Sequence, residues 1–197
     1  QIAGKAEELV KNAWVVFSGS GELEATAGKN LSGGKDPSVA TTDYAAWLMA
    51  MEPYKFDVMV YDGKDKTTIQ AVAAFVKRVS NNVGLKCQAV MADTSASNSE
   101  WVISVKNGVK LDDGTVLTPQ QATWWLGGAE AGALYNQSLT YSRYPNALEA
   151  SPKLTGAQIE EAIKAGEIVF IDTFDKVKVC TDINTFTSFA VDKGEEY

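Results

Sequence analysis

The sequence predicts an α/β fold in which a layered parallel sheet forms the core and helices flank it. Three apolar, strand-like runs, at 14–18, 56–61 and 85–91, alternate with segments of helical periodicity. Strands that are joined by helices pair in parallel through right-handed crossovers. Further along, short strand-like runs are separated by Asn-Gly and Asp-Gly pairs, which favour hairpin turns. We therefore expect a small antiparallel meander and a partial α+β region after the parallel core.

The beginning of the sequence predicts a strand, a loop and a helix. The apolar run 14–18 suits a strand in a covered sheet, and the Gly-rich stretch 22–37 suits a loop. A helix should follow, with Thr41 or Thr42 as its cap and Pro53 as its end.

The segment 65–82 is the clearest helix in the sequence, and Gly84 is placed to end it. It leads from the second strand of the core into the third, 85–91. Its apolar residues recur at helical spacing and predict one buried stripe, made of Ile69, Val72, Ala73, Val76 and Val79.

The pattern changes after Ala92, where we predict the meander from three short strands. They are 101–106, 109–111 and 115–117, and the turns between them are Asn107-Gly108 and Asp113-Gly114.

A further helix should begin at Thr118, because Thr118 and Gln121 can form a capping box around Pro119. Glycine costs roughly 1 kcal/mol in a helix interior relative to alanine. This helix nevertheless carries a cluster of small residues, which predicts that its backbone approaches another element closely. The cluster consists of Gly128, Ala129, Gly132 and Ala133.

The last part of the chain repeats the capping-box pattern at Thr155 and Gln158, with Leu154 and Ile159 as a hydrophobic staple. Gly166 suits the end of this helix. A hairpin of 168–173 and 176–180 should follow it. We place a domain boundary near Ser151, so that 1–150 form the main domain and 151–197 begin a second one.

Composition and charge exclude several classes of function. The net charge is −7 and the isoelectric point is near 4.7, which disfavours binding to nucleic acid through its phosphates. No apolar run approaches the roughly 18 residues of a membrane span, and the start lacks the pattern of a signal peptide. Because the sequence begins without Met and inside a helix-like segment, we expect it to be part of a longer protein.

The two cysteines, Cys87 and Cys180, are far apart and lie in strand-like runs, without the spacing of a zinc site. Buried free thiols are the default interpretation, and the sequence leaves a disulfide open.

No catalytic, cofactor or metal site is predicted. The chain has no histidine, so a Ser-His-Asp or Cys-His centre cannot be built. The stretch 28–36 only resembles a phosphate loop, because Gly34 stands where a Walker lysine is needed and Asp36 would repel a phosphate. Five serines are nucleophiles in name only, since no histidine can act as their base: Ser18, Ser20, Ser95, Ser97 and Ser99.

Four carboxylates lie near the ends of the predicted parallel strands, where open α/β sheets bind ligands. They could hold Mg²⁺, although helix caps and turns are the simpler interpretation. These residues are Asp57, Asp62, Asp65 and Asp93.

Aromatic residues offer a second possible binding surface. Trp124 and Trp125 should point about 100° apart on their helix, one into the core and one to a contact surface. With Tyr141 and Tyr144 they could stack on a sugar. A non-catalytic ligand- or carbohydrate-binding α/β domain is therefore an alternative function.

Several segments in order give the chain a resemblance to contractile tail sheath proteins of myophages, phage-like bacteriocins and defective prophages. The most specific are 125–132 (WLGGAEAG) and 136–141 (NQSLTY). The resemblance covers roughly 27–189, and its other segments are 31–34, 42–44, 154–155, 165–170, 176–179 and 182–186.

The resemblance implies a large domain of subtilisin-like topology without a catalytic triad, followed by a carboxy-terminal domain that would begin near Ser151. It implies a structural subunit rather than an enzyme, with no cofactor. Its partners would be neighbouring sheath subunits, the inner tail tube and the baseplate, with no nucleic acid or membrane. The particle would be a virion tail or a tail-like particle that is assembled in the bacterial cytoplasm.

Overall fold

The computed structural model of the chain describes residues 38–134, 136–174 and 176–188. The predicted strand at 14–18 and the loop at 22–37 lie outside these residues. From Val39 onwards the described residues belong to one compact unit.

The described residues form four α-helices and nine strands. The helices are α1 (Thr41–Met51), α2 (Lys66–Arg78), α3 (Pro119–Gly132) and α4 (Gly156–Lys164). The strands are β1 (Val58–Val60), β2 (Gln88–Ala92), β3 (Val102–Val105), β4 (Gly108–Leu111), β5 (Val116–Leu117), β6 (Ala147–Ser151), β7 (Glu167–Ile168), β8 (Phe170–Thr173) and β9 (Lys176–Val179).

A four-stranded parallel sheet in the order β1-β2-β3-β7 forms the centre of the fold. Successive residues of a strand point to opposite faces. In β2, Ala89 and Met91 pack into the cluster that contains α2, whereas Val90 and Ala92 pack into the cluster that contains α3. The sheet is therefore covered by helices on both faces, and the predicted layered α/β fold is confirmed.

The predicted stripe of α2 is mostly confirmed: Ile69, Val72, Val76 and Val79 are buried, whereas Ala73 is only half-buried. Asp65 is its N-cap, and the Asp65 carboxylate accepts a hydrogen bond from the Thr68 backbone N–H at 2.8 Å. After Arg78 the chain makes one wider, π-helical turn. This turn ends at Gly84, which has a φ of 82°, a conformation that glycine adopts without strain.

The predicted cap of α1 is wrong by one residue. The helix begins at Thr41, its N-cap is Ala40, and no side chain of the N-cap makes a capping bond. Instead, the Asp43 carboxylate accepts a hydrogen bond from the Ala40 backbone N–H at 2.8 Å. Asp43 therefore satisfies the N–H of the N-cap residue, whereas a threonine N-cap would have accepted a hydrogen bond from an N–H of the first turn.

The Asn107-Gly108 pair is not a hairpin turn, which corrects the predicted meander. The strand β3 stays in the parallel sheet, while β4 pairs with β5 and β6 in a second, antiparallel sheet. A Cβ at Gly108 would overlap the Leu117 carbonyl oxygen. Glycine is required here because the backbone at Leu117 leaves no room for a Cβ, not because of a turn. The Asp113-Gly114 turn between β4 and β5 is confirmed, with Gly114 at a φ of 85°.

The Asn107 side chain joins the two sheets to the last hairpin. Its amide donates to the Phe170 carbonyl oxygen at 2.9 Å and accepts from the Phe170 backbone N–H at 2.9 Å. Asn107 is fully buried, so the two bonds satisfy groups that would otherwise be costly to desolvate. The strands β8 and β9 form the predicted hairpin.

Both predicted capping boxes are present, at Thr118–Gln121 on α3 and Thr155–Gln158 on α4. The prediction for the small residues of α3 is only partly right. The close approach is at Gly127, where a Cβ would overlap Val60 Cγ2. At Gly128 no atom would lie within 4 Å.

The domain boundary near Ser151 stays a prediction. The strand β7, which follows it, pairs with β3 of the parallel sheet, and β6, which contains Ser151, pairs with β4. Cys87 is buried, Cys180 is half-buried, and both are free thiols.

Candidate functional site

A groove beside α2 is a candidate site in the described residues. It has a volume of about 430 Å³ and lies between the outer side of α2 and the loop that follows β2. We call it the α2 groove; its lining consists of Lys66, Ile69, Gln70, Ala73, Ala74, Lys77, Asp93, Thr94, Ser95, Ala96, Ser97 and Ser99. This is the carboxyl end of a parallel strand, where open α/β sheets place ligands.

The loop wall of the groove is held in place by buried hydrogen bonds. The Thr94 backbone N–H donates to Ser104 Oγ at 3.2 Å, and the hydroxyls of Thr94 and Ser97 lie 2.6 Å apart. At the far end of the loop, the Ser99 backbone N–H donates to Thr185 Oγ1 at 3.1 Å, and the Thr185 hydroxyl donates to the Ser99 carbonyl at 3.1 Å. The wall is therefore preorganised by contacts that are distant in sequence.

The helix wall carries two lysines. Lys66 lies 3.8 Å from Asp93 across the groove, and both side chains are largely exposed, at 80% and 68%. Such an exposed ion pair contributes little to stability. Lys77 makes no ion pair with any residue that the structure describes.

The four strand-end carboxylates do not meet at one point. Asp57 precedes β1, so it lies at the opposite edge of the sheet from the other three. Asp65 caps α2, and its bonds to Thr68 lower the pKa of the carboxyl. The Asp62 carboxylate accepts from Trp124 Nε1 at 2.9 Å. Across residues 38–134, 136–174 and 176–188, no three acidic or cysteine side chains are close enough to hold a metal ion.

The candidate serines fall into two groups. Ser18 and Ser20 lie outside the described residues. Ser95, Ser97 and Ser99 all line the α2 groove, where the backbone of Ser99 is bound to Thr185. The predicted absence of a histidine base follows from the sequence itself. The phosphate-like loop at 28–36 also lies outside the described part of the chain.

The paired tryptophans separate as predicted. Trp125 packs into the core, with its ring 4.5 Å from that of Tyr144 and 6.3 Å from that of Phe170. Burial raises the pKa of Tyr144 to about 12. Trp124 is 52% exposed, and Tyr141 is 61% exposed. The four aromatic side chains therefore do not form one sugar-binding platform.

Sequence analysis missed a pair of carboxyl groups at the end of α3. Burial first, and then the negative charge and hydrogen bond of Asp182, raise the pKa of Glu130 to about 8. Its Oε1 is buried and has no partner in the described structure. The Asp182 carboxylate also accepts from the Leu139 backbone N–H at 2.8 Å. Glu130 and Asp182 are 52 positions apart, so no local sequence pattern predicts their contact.

The α2 groove was also missed, although half of it has a signal in the sequence. Lys66, Gln70 and Lys77 recur at the spacing of one helical face, which the buried stripe of α2 leaves exposed. The opposite wall has no such signal, because long-range bonds to Thr185 form it. No helix in the described ranges is long and apolar enough to cross a membrane.

Comparison with known proteins gives a consistent result. Residues 38–185 match the family model of the phage tail sheath protein central domain. The chain is 38% identical over 218 residues to the phage-like element PBSX protein XkdK of Bacillus subtilis strain 168. The alignment covers 100% of this chain and 47% of that protein.

Among the solved structures that resemble the chain are two of sheath proteins. The crystal structure of a sheath tail protein from Desulfitobacterium hafniense has a TM-score of 0.83 and 44% identity, and covers 96% of this chain and 46% of that one. The helical sheath of the anti-feeding prophage in its contracted state has a TM-score of 0.56 at 13% identity, over 75% of this chain and 44% of that one. The second likeness concerns the fold alone. The chain spans about half the length of the relatives it matches.

Proposed function

The chain belongs to the phage tail sheath protein family, and we propose that it is the central part of a sheath subunit that polymerises around an inner tube. The family match over residues 38–185 carries this proposal. In the proposed mechanism the sheath assembles in an extended, metastable packing. A trigger at the baseplate then lets it contract and drive the tube through a cell envelope.

The composition of the core supports a mechanical role. The parallel sheet is covered on both faces by helices, and Val72, Val76, Val90, Val102 and Val105 are at most 1% exposed. Burying each such side chain contributes about 1.5–3 kcal/mol. A subunit with this core can keep its fold while its contacts with neighbours change, as a switch between two packings requires.

No chemical step is needed in this proposal. The energy of contraction is stored when the sheath assembles, so neither a nucleotide nor a catalytic centre takes part. The absence of histidine from the sequence agrees with a scaffold that lacks a catalytic triad.

We also propose an orientation for the subunit. The described residues up to 150 would face outwards, and the segment from 151 onwards would begin the domain that faces the tube. Contacts between successive subunits would be heterologous, because such contacts generate open helical tubes rather than closed rings. The particle would be a phage tail or tail-like particle built in the bacterial cytoplasm. Crosslinks from Asp57 or Asp65 to the tube protein would contradict the orientation.

Electron microscopy of the protein, expressed alone from its complete reading frame and concentrated, tests the function. Hollow tubes with regular striation are the expected result. A single small particle in the presence of both the tube protein and the baseplate would refute the proposal.

A further inference from the structure

We propose that the α2 groove binds an acidic segment of a second copy of this chain, as one of the contacts between neighbouring subunits. This inference rests on the proposed sheath function, and it names a surface and the chemistry of its partner.

The length of the groove argues for a polypeptide rather than a small anion. Lys66 and Lys77 are eleven positions apart on one continuous helix, which places their backbones about 16 Å apart. A single phosphate or carboxylate cannot bridge that distance. An extended chain of about five residues can do so, at roughly 3.3 Å per residue. The groove therefore suits a short extended segment with a carboxylate near each end.

The chemistry between the two lysines suits a peptide as well. Ile69 and Ala73 provide an apolar floor, while Gln70 and the hydroxyls of Ser95 and Ser97 provide hydrogen-bonding groups along the walls. An extended backbone needs such partners for its N–H and C=O groups. Because the loop wall is held by Thr94 and by the bonds to Thr185, little ordering is needed on binding.

Charge complementarity favours a second copy as the occupant. The chain has 25 acidic and 18 basic residues, with a net charge of −7. The groove has the opposite local balance, with two lysines and one aspartate. The weak, exposed Lys66–Asp93 pair can be exchanged for a pair with an incoming carboxylate. Since the groove and its acidic partner are different surfaces, the contact is heterologous and propagates along a tube.

The first experiment measures binding of a fluorescein-labelled hexaglutamate peptide to this chain by fluorescence anisotropy. We expect the double variant Lys66→Glu/Lys77→Glu to bind at least tenfold more weakly than the native protein. The matched control, Lys55→Glu/Lys176→Glu, changes the net charge equally at exposed lysines outside the groove and should lose at most threefold. Raising the salt concentration from 50 to 300 mM should weaken native binding severalfold, because exposed charges are screened.

Both double variants are first checked for unchanged circular dichroism and melting temperature, which separates loss of binding from loss of fold. Equal binding by the groove variant and the control would overturn the proposal, since it would mean that only net charge matters.

The second experiment identifies the occupant in assembled tubes. A photoreactive benzophenone amino acid replaces Gln70 in the protein expressed from its complete reading frame, and a second sample carries it at Lys55 as a control. The expected result is a crosslink from position 70 to an acidic segment of another copy, resolved by mixing isotopically light and heavy subunits. A crosslink only within one chain, only to another protein, or none at all would overturn the proposal.

The two proposals fail in different ways. If tubes form but position 70 does not crosslink between copies, the groove assignment is wrong and the sheath function stands. If no tubes form under any condition, the sheath function fails, and the peptide titration alone decides whether the groove binds acidic segments.

Discussion

Replacing Glu130 with glutamine should make the protein less sensitive to alkaline pH. Glu130 is partly buried at the end of α3 and faces the Asp182 carboxylate, and these surroundings raise its pKa to about 8. The folded protein therefore holds a proton on Glu130 at pH 7, whereas the unfolded chain has released it. Folding stability falls with rising pH wherever the folded state binds more protons.

The size of the effect follows from the two pKa values. A pKa of about 8 in place of the ordinary 4.5 corresponds to at most about 5 kcal/mol. Because Glu130 keeps some contact with solvent, screening reduces the expected effect to about 1–3 kcal/mol. The stabilisation is complete below pH 4.5, declines as the pH rises, and is lost above pH 8. Glutamine stays neutral throughout and can still donate a hydrogen bond to Asp182.

Urea unfolding at pH 5 and pH 9 measures this difference. We expect Glu130→Gln to equal the native protein at pH 5 within about 1 kcal/mol, and to exceed it by about 1–3 kcal/mol at pH 9. The control is Glu161→Gln, which removes an exposed carboxylate on α4 and should keep the native pH dependence. An unchanged pH dependence in Glu130→Gln would refute the reasoning, because other titrating groups are common to both proteins.

Further substitutions at four positions test the packing of the fold by urea unfolding. Asn107→Ala should lower the free energy of unfolding by about 2–4 kcal/mol, because it leaves the N–H and C=O of Phe170 buried without partners; a loss below 1 kcal/mol would contradict this role. Gly128→Ala should stabilise by about 0.5–1 kcal/mol, since alanine is the better helix former and its Cβ meets no atom. The matched substitution Gly108→Ala should destabilise by more than about 2 kcal/mol, because its Cβ would overlap a carbonyl; equal effects at the two glycines would be inconsistent with the packing. Asp65→Ala should cost about 1 kcal/mol through loss of the α2 cap, whereas Asp65→Asn should retain most of the stability.

Local signals account for most of the helices and strands that were predicted correctly. The two Thr–Gln capping boxes and the apolar stripe of α2 depend only on neighbours within a few residues, and such patterns are visible in a sequence. The Asp113-Gly114 turn belongs to the same class. The cap of α1 was placed wrongly because Thr41, Thr42 and Asp43 are adjacent, and each of them can satisfy a backbone N–H.

The hairpin turn that was wrongly predicted at Asn107-Gly108 shows that local sequence signals do not predict tertiary contacts. An Asn-Gly pair favours a hairpin turn in isolation. Here Asn107 is bound to Phe170, 63 positions further along the chain, and Gly108 lies under Leu117. Both residues are fixed by tertiary contacts with residues that are distant or on another strand, and the dipeptide itself carries no sign of them. The same dipeptide can therefore serve two purposes, and the sequence does not distinguish them.

The α2 groove also depends on tertiary contacts that the sequence does not reveal. One wall of the α2 groove is a helix whose lysines are visible in the sequence. The far end of the other wall is held by Thr185, which binds Ser99 across 86 positions. Substituting Thr185 by valine, which keeps the shape and removes the hydroxyl, should loosen that wall without touching either lysine. We expect binding of the acidic peptide to weaken several-fold in Thr185→Val while the charge pattern is unchanged. If Thr185→Val instead binds the peptide as tightly as the native protein, the lysines attract it only through their long-range electrostatic potential. The contact between copies would then be a non-specific attraction rather than a defined interface.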